Sequence, residues 1–351
     1  MINGLHEAKR LLRYSTIRSG LSVISALRLG KLFPGAAKNG LIFTLHHVRP
    51  ADNSKSFSPN GILSVTPEFL EATIQTVLKA GMIPVHVHEL PELLRNKPGK
   101  NRYVCFTLDD GYRDNAKFAA PIFLKYKIPF TIYITSGFSA HTKILWWETV
   151  ECLLKKLDRL SFDFGHGNET LILQSRRQKM AGFERFAHYV DGSDEEVAVD
   201  RIASLAQANN IDSLKLTKDL IMDVNELAAL ADNKFAHLGA HTASHFNLKR
   251  TNPMRRKEEI ITSAEWLKHQ LNVVPQSFAH PYGWTTAVSP CSCAAVYEAG
   301  FSIAVTTQPG MLSPDCLAQP QAFPRVSLNG YFQKQRYIEA LITGIPFMKY
   351  F

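Results

Sequence analysis

Two carboxylates stand side by side in Phe106-Thr107-Leu108-Asp109-Asp110-Gly111-Tyr112, directly after an apolar run that reads as a buried strand from Tyr103 to Leu108. Adjacent acids repel, so the pair is costly unless a cation neutralises it or one acid keeps a proton. That allows a division of labour in which Asp110 binds a metal ion and Asp109 stays free as a general base. The same residues would also make a solvated turn, since Asp-Asp-Gly is ordinary turn chemistry. A second short apolar approach, Gly239-Ala240, runs into His241-Thr242-Ala243-Ser244-His245. Histidines four apart share a face of a helical turn, where both imidazoles reach one ion. Two histidines and a carboxylate suit zinc and leave room for water and substrate. A zinc protease of the His-Glu-x-x-His type needs a glutamate where this chain has Thr242.

The third such segment is Ser277-Phe278-Ala279-His280-Pro281-Tyr282-Gly283, again apolar residues closed by turn formers. With the three in this order, the chain resembles the polysaccharide deacetylase family, which carries the NodB homology domain (carbohydrate esterase family 4-like). Thr107 to Gly111 matches its Thr-Phe-Asp-Asp-Gly motif with Leu108 for phenylalanine, and His241 to His245 matches its His-Ser/Thr-x-x-His motif in full. The likeness runs from about Leu41 to Leu328. It implies hydrolysis of N-acetyl groups on an N-acetylglucosamine-containing glycan, of the chitooligosaccharide deacetylase kind. It also implies a divalent metal, zinc by preference with cobalt or nickel feasible, on Asp110, His241 and His245. Two departures stand out. The arginine expected before Pro-Tyr in the third motif is replaced by Ala279-His280, and no histidine follows Arg325 to Leu328, where a Leu-x-His motif belongs. The variant subgroup similar to poly-N-acetylglucosamine deacetylases fits better. Its entry strand, Tyr-His-x-Val, is like Leu45-His46-His47-Val48, which makes His46 the candidate acid. Arg325 or His280 is then the candidate partner of Asp109. Pro281, Tyr282 and Trp147 are candidates for substrate contact, although the adjacent Trp146 and Trp147 would equally anchor a core. Alternatives are a hydrolase of the same fold acting on another amide or imide, and a glycan-binding module that has lost its acid.

The elements that must hold these residues alternate. Leu41–Val48 reads as a strand, leading to a loop rich in Ser, Asn and Pro, and Pro67–Ala80 as a helix capped by Thr66. Met82–Val85 reads as a strand and Glu89–Leu94 as a helix, with His86 and His88 at the surface. After the acidic strand come a helix over Asn115–Tyr126 and a strand over Phe130–Thr135. The pattern lapses from about 136 to 234. There Trp146 opens a helix to about Leu157, Leu160–Gln174 reads as a hairpin around Gly165-His166-Gly167-Asn168, and charged helices follow at Gln178–Tyr189 and Asp194–Ala208. We expect this stretch to be an insertion on the rim, with Asp223–Ala231 leading back to the His241 strand. A helix over Glu258–Leu271, a strand at Gln276–Ala279, a helix ending at Ala294–Gly300 and strands at Phe301–Thr306 and Phe323–Val326 complete the chain. Sequence alone gives α/β, mostly parallel. The resemblance narrows this to a distorted (β/α) barrel of about seven strands, formed by residues 41–351 after a separate segment, 1–40.

At 351 residues and 45% hydrophobic, the chain can bury a sizeable core. Its formal charge of +9 raises nucleic acid as a partner, but no nucleic-acid motif or dense basic tract is present. The excess sits early: Lys9, Arg10, Arg13, Arg18, Arg28, Lys31 and Lys38 against Glu7. Leu5, Ala8, Leu11, Leu12, Leu21, Ile24, Leu27 and Leu32 fall near helical spacing, which predicts a basic amphipathic helix or helix pair within 1–40 that packs on the domain or, through 1–38, meets an anionic membrane. Arg18, Ser19, Gly20 and Ser22 interrupt any signal-peptide core, and no apolar run of ~20 residues spans a membrane. Five cysteines without framework spacing fit a reducing compartment, with Cys291 and Cys293 as packing residues. The expected location is cytoplasmic, with peripheral membrane contact through 1–38 as the alternative to a packing helix.

Overall fold

Strands buried on both faces need apolar residues at every position, which is how Gly40–Leu45, Tyr103–Leu108 and Phe130–Ile134 read, and all three are buried end to end. The structure, a computed structural model, describes residues 2–51, 57–96 and 99–350, without the side chains of residues 2–11 and 349–350. In the main sheet Ile303–Val305, Ser277–Ala279, Ala236–Ala240, Phe130–Ile134, Tyr103–Leu108, Gly40–Leu45 and Val326–Ser327 lie side by side. Ile83–Pro84 pairs with the start of Tyr103–Leu108, and all these pairings are parallel. The segment before Val326 closes the curl. The Phe323 N–H donates to Ala304 O and the Thr306 N–H to Phe323 O at 2.9 Å each, while Phe43 and Thr44 pair with Val326 and Ser327 on the other side. The result is a distorted (β/α) barrel.

Its inside holds Ile42, Cys105, Tyr133, Ala279, Ile303, Val305 and Phe323, stoppered below by Val87 and Leu90. Its outside packs on helices, among them Pro67–Lys79 and Pro253–Leu271. Gly239 is required by close approach, because a Cβ there would sit 2.4 Å from the Tyr133 ring. Between the strands Phe130–Ile134 and Ala236–Ala240 the chain makes helices Ser136–Ser139, Trp146–Lys156, Arg176–Gly192, Glu195–Ala208, Ser213–Leu220 and Val224–Ala231, and the antiparallel hairpin Arg159–Asp163/Asn168–Ile172. These share an apolar core of their own that includes Trp147, Leu154, Phe162, Phe186 and Ile202.

Several local expectations change. Asn115–Ala119 is a π-type turn, and only Ala120–Lys125 is α-helical; Pro121 has no N–H to continue the i→i−4 ladder. The residues from Thr242 to Leu248 form a loop rather than a helical turn. Cys291 is exposed, so it is not a packing residue, and the five cysteines are all free. Ile2–Ala26 is one helix whose Leu21 packs with Tyr337 and Ala340 of the Gln335–Leu341 helix. The roles expected of Leu5, Ala8 and Leu11, and of residues 52–56 in the loop after the first strand, lie outside what is described. No helix among the described residues is long and apolar enough to cross a membrane.

His86 and His88 are half-buried rather than at the surface, because the turn at Val87 folds under the barrel and brings both rings against His237. Ring centroids are 5.1, 4.5 and 6.0 Å apart, and the Nδ1 atom of each ring is buried without a partner. Burial, reinforced by His88 and His86, pushes His237 down to about 3 from 6.5. Since this lies below the unfolded value, the unfolded chain takes up the proton first. Stability is therefore full above 6.5 and falls as pH drops toward 3. We expect urea midpoints to fall between pH 6.5 and 4.5 and the fall to shallow in His237→Gln; an unchanged slope would contradict a neutral buried imidazole.

Candidate active site

Parallel strands carry their loops out at one end, so Asp109, Asp110, His46, His241 and His280, each just past a strand, gather at the same mouth. Two neighbouring carboxylates can serve different ends only if the backbone turns between them. Asp110 does this at φ 75°, followed by Gly111 at 80°. Thr242, His245 and Tyr282 also take left-handed conformations, at φ 64°, 61° and 61°. Non-glycine residues pay for such conformations, and strain of this kind collects at functional sites.

Asp109 meets Arg325. The Nη1 and Nη2 atoms donate to Oδ1 and Oδ2 at 2.7 Å each, while Nε donates to Thr306 O at 2.7 Å and Nη1 to Thr107 Oγ1 at 3.0 Å. Arg325 is 0% exposed and Asp109 2%. Burial alone would raise the Asp109 carboxyl, but the Arg325 charge, His241, the bidentate bonds and His46 outweigh it and hold the group well below the usual carboxylate range. Asp109 is therefore an ionised carboxylate with lone pairs to spare. Of the two candidate partners of Asp109, Arg325 and His280, the one that pairs with it is Arg325, from the closing segment of the barrel.

Asp110 meets the histidines. Its Oδ1 lies 3.6 Å from His241 Nε2 and 3.4 Å from His245 Nε2, with both rings and the carboxylate buried. These separations exceed hydrogen bonds, and Asp110 Oδ1 has no hydrogen-bond partner. They match the spacing of roughly 3.3 Å between donor atoms on arms of about 2.0–2.1 Å to one tetrahedral centre. Among the described residues, this is the group of three whose ligand atoms all lie within 4.8 Å of one another. Burial and the Asp109 charge push Asp110 well up, so the carboxylate needs a cation to stay ionised. His241 Nδ1 pairs with Ala279 O at 2.7 Å, which fixes the proton on Nδ1 and leaves Nε2 as the ligand atom. The residues fit a divalent ion.

Of the remaining expected residues, His46 lies close enough to feel the charges of Asp109, Arg325 and His241; burial drops it to about 4, so its imidazole is neutral at rest. His280 is buried and pairs through Nε2 with Gln321 O at 3.0 Å rather than with Asp109, and burial lowers it to about 4. Tyr282 stands edge-on to His245 at 4.9 Å and donates from its hydroxyl to Glu195 Oε1 at 2.6 Å; Pro281 is buried beside it. Trp147 lies 5.0 Å from His245 with its Nε1–H on Tyr112 Oη at 2.9 Å, so it serves both as a wall of the site and as a core anchor.

Sequence reading passed over several residues here. Glu259, on the Pro253–Leu271 helix, shapes the histidine loop: its Oε2 accepts from the Ser244 N–H at 2.7 Å and its carbonyl from the Ala243 N–H at 2.9 Å. His47, not only His46, is structured. Its Nδ1 lies 2.5 Å from Asp114 Oδ2 and its Nε2 3.6 Å from Glu148 Oε1. Burial opposes its protonation, but Asp114 and Glu148 raise it above its usual value. The doubled His46-His47 and the acid in Tyr112-Arg113-Asp114 were the available signals.

Removing one partner of a buried ion pair strands the other charge, at a cost of about 3–5 kcal/mol. We expect Arg325→Met to lower unfolding free energy by that order and Asp109→Asn in the same chain to recover much of the loss, measured by urea unfolding. Additive losses in the double variant would mean that the pair is not coupled.

No family model matches the chain, and no curated protein matches it in sequence. Solved structures do. IcaB from Ammonifex degensii superposes with a TM-score of 0.54 at 14% identity, over 86% of this chain and 97% of that one. A polysaccharide deacetylase from Bacillus cereus gives 0.52 at 14%, over 87% and 69%. The Streptococcus pyogenes deacetylase PplD, in complex with acetate, gives 0.50 at 17%, over 83% and 92%. The barrel, with its acids and histidines at one mouth, is thus the fold of polysaccharide deacetylases.

Proposed function

We propose that the protein is a metal-dependent hydrolase that removes N-acetyl groups from an N-acetylglucosamine-containing glycan. The observation that carries this reading is the split pair: Asp109 is held ionised by Arg325, while Asp110 faces two histidine nitrogens at 3.4–3.6 Å. Acetate, the product of such a reaction, accompanies the PplD neighbour. Asp110, His241 and His245 would hold a divalent ion, zinc by preference with cobalt or nickel feasible for this donor set, which when bound would supply Lewis-acid polarisation of the acetyl carbonyl and a more acidic water. Asp109 accepts the proton of the attacking water through a lone pair that Arg325 does not use. Arg325 keeps that carboxylate aimed. The C–N bond breaks, and the amine leaves with a proton delivered by His46. Since His46 is neutral at rest, the proton it delivers is the one Asp109 took from the water, passed on to His46 before the amine leaves. Trp147, Tyr282 and Pro281 border the site where the acetylated sugar would lie.

The neutral His46, together with His280 committed to Gln321, keeps a second reading open: a glycan-binding module without an acid. One experiment separates the two. Zinc-loaded protein is incubated with N-acetylglucosamine oligomers and acetate is measured. Release should stop on chelation and in Asp109→Asn, and fall about 10²-fold in His46→Ala, while His245→Ala should lose its equivalent of bound metal. Release that survives chelation in Asp109→Asn would overturn the mechanism, and tight binding without turnover would favour the module. A panel of other amides and imides tests the remaining chemistry of this fold.

Access to a lipid-borne or soluble glycan precursor at an anionic leaflet is the companion proposal. Leu12 and Val23 on the first helix and Leu27 just past its end are exposed, with Arg13 and Arg28 nearby in sequence. We expect co-sedimentation with anionic vesicles at low salt, weakened by high salt and by Arg13→Glu with Arg28→Glu. Those substitutions leave the packed Leu21 in place. Absence of binding at every salt concentration would make this a packing helix only.

A further inference from the structure

Beside His245, between the barrel and the helices that precede the Ala236–Ala240 strand, lies a cleft of about 600 Å³. That is within the range of small-molecule sites, roughly 300–1,000 Å³. Trp146 and Trp147 give it aromatic walls. Its charge runs against that of the whole molecule. In a protein of net charge +9, the cleft is lined by Glu195, Glu196, Asp200 and Asp212 against a single cation, Lys143.

Most of those charges are already engaged. Lys143 pairs with Glu196 at 3.2 Å, and Glu196 is also bridged by Arg255 at 3.4 Å. Glu195 accepts from the Tyr282 hydroxyl at 2.6 Å and from the Asn247 N–H at 2.9 Å. Asp200, by contrast, forms no ion pair among the described residues, and Asp212 uses one oxygen to cap the Lys215 N–H at 2.8 Å. Ser213, next to Asp212 on the same wall, is 6% exposed and its Oγ has no partner. His245 Nδ1, at the end of the cleft nearest the candidate metal site, is likewise buried and unpartnered. An aromatic cleft whose Asp200 and Asp212 carboxylates have no cationic partner among the described residues wants a ligand that is apolar across its faces and cationic at one substituent.

We propose that this cleft seats the sugar unit next to the one being deacetylated, and that it selects a unit bearing a protonated free amine over one bearing an N-acetyl group. The inference rests on the glycan reading above and adds a substrate class: hexosamine chains that are already partly deacetylated. An ammonium brings the charge and the donors that the Asp200 and Asp212 carboxylates lack, whereas an acetamide brings no charge and leaves them unmatched. Deacetylation would then proceed preferentially beside an existing free amine.

The test is calorimetric titration of the zinc-loaded protein with a glucosamine tetramer and with an N-acetylglucosamine tetramer. The same titrations are run on Asp200→Asn with Asp212→Asn, since asparagine keeps the helix cap. We expect the glucosamine tetramer to bind the wild type more tightly. We expect that affinity to fall about tenfold in the variant, the scale of one charge-assisted hydrogen bond, with the acetylated tetramer little changed. An unchanged thermal midpoint confirms that the variant is folded. Equal affinities for the two tetramers, no binding of the glucosamine tetramer, or equal losses for both would overturn the proposal. Amine-selective binding without acetate release from any acetylated chain would overturn the reaction and leave the cleft standing. Acetate release without amine selectivity would do the reverse.

Discussion

A carboxylate and a guanidinium, both withdrawn from water, meet at the point where the barrel closes. Burying either alone would cost several kcal/mol, so neither position tolerates a neutral neighbour. Their bidentate geometry makes the arrangement sustainable, and the remaining Arg325 donors go to Thr306 O and Thr107 Oγ1. Arg325 lies in the segment that bonds the Ile303–Val305 edge through Phe323 and the Gly40–Leu45 strand through Val326. The ion pair thus pins the seam of the sheet to its centre. The contact that closes the barrel also keeps Asp109 ionised.

The backbone turn at Asp110 depends on that pair. With Asp109 fixed toward Arg325, the next carboxylate can reach His241 and His245 only if the chain reverses at once. A left-handed aspartate followed by a glycine does this within two residues. The histidine loop pays similarly at Thr242 and His245 and is held by Glu259 and by the Thr242 hydroxyl, which accepts from the His245 N–H at 2.9 Å. Strained backbone and over-determined hydrogen bonding are two sides of one device, which sets Asp110 Oδ1 3.4–3.6 Å from the two histidine nitrogens.

What could be read from the chain alone was local. Apolar runs ending in Asp109-Asp110 or His241 gave strands, their mouths and the chemistry there, because strand periodicity and turn residues are near-neighbour properties. The family resemblance supplied His46, Arg325 and the barrel. Contacts between distant segments were not legible. Nothing near Glu259 in the sequence says that it shapes the loop of His245, and nothing near Glu195 says that it takes the Tyr282 hydroxyl. The His241-x3-His245 spacing suggested a helical turn, but the loop achieves the same convergence through two left-handed residues. His86 and His88 looked like surface residues because alternation around Val87 cannot reveal that His237 lies opposite.

The central claim is that the two acids do different work, Asp110 on an ion and Asp109 on Arg325. Anomalous scattering from zinc-soaked crystals addresses it directly. The account predicts a peak bounded by an Asp110 oxygen, His241 Nε2 and His245 Nε2, with Asp109 still bidentate on Arg325 and outside the coordination sphere. A peak that takes Asp109 as a ligand with Arg325 swung away, or no peak at these three residues, would contradict it.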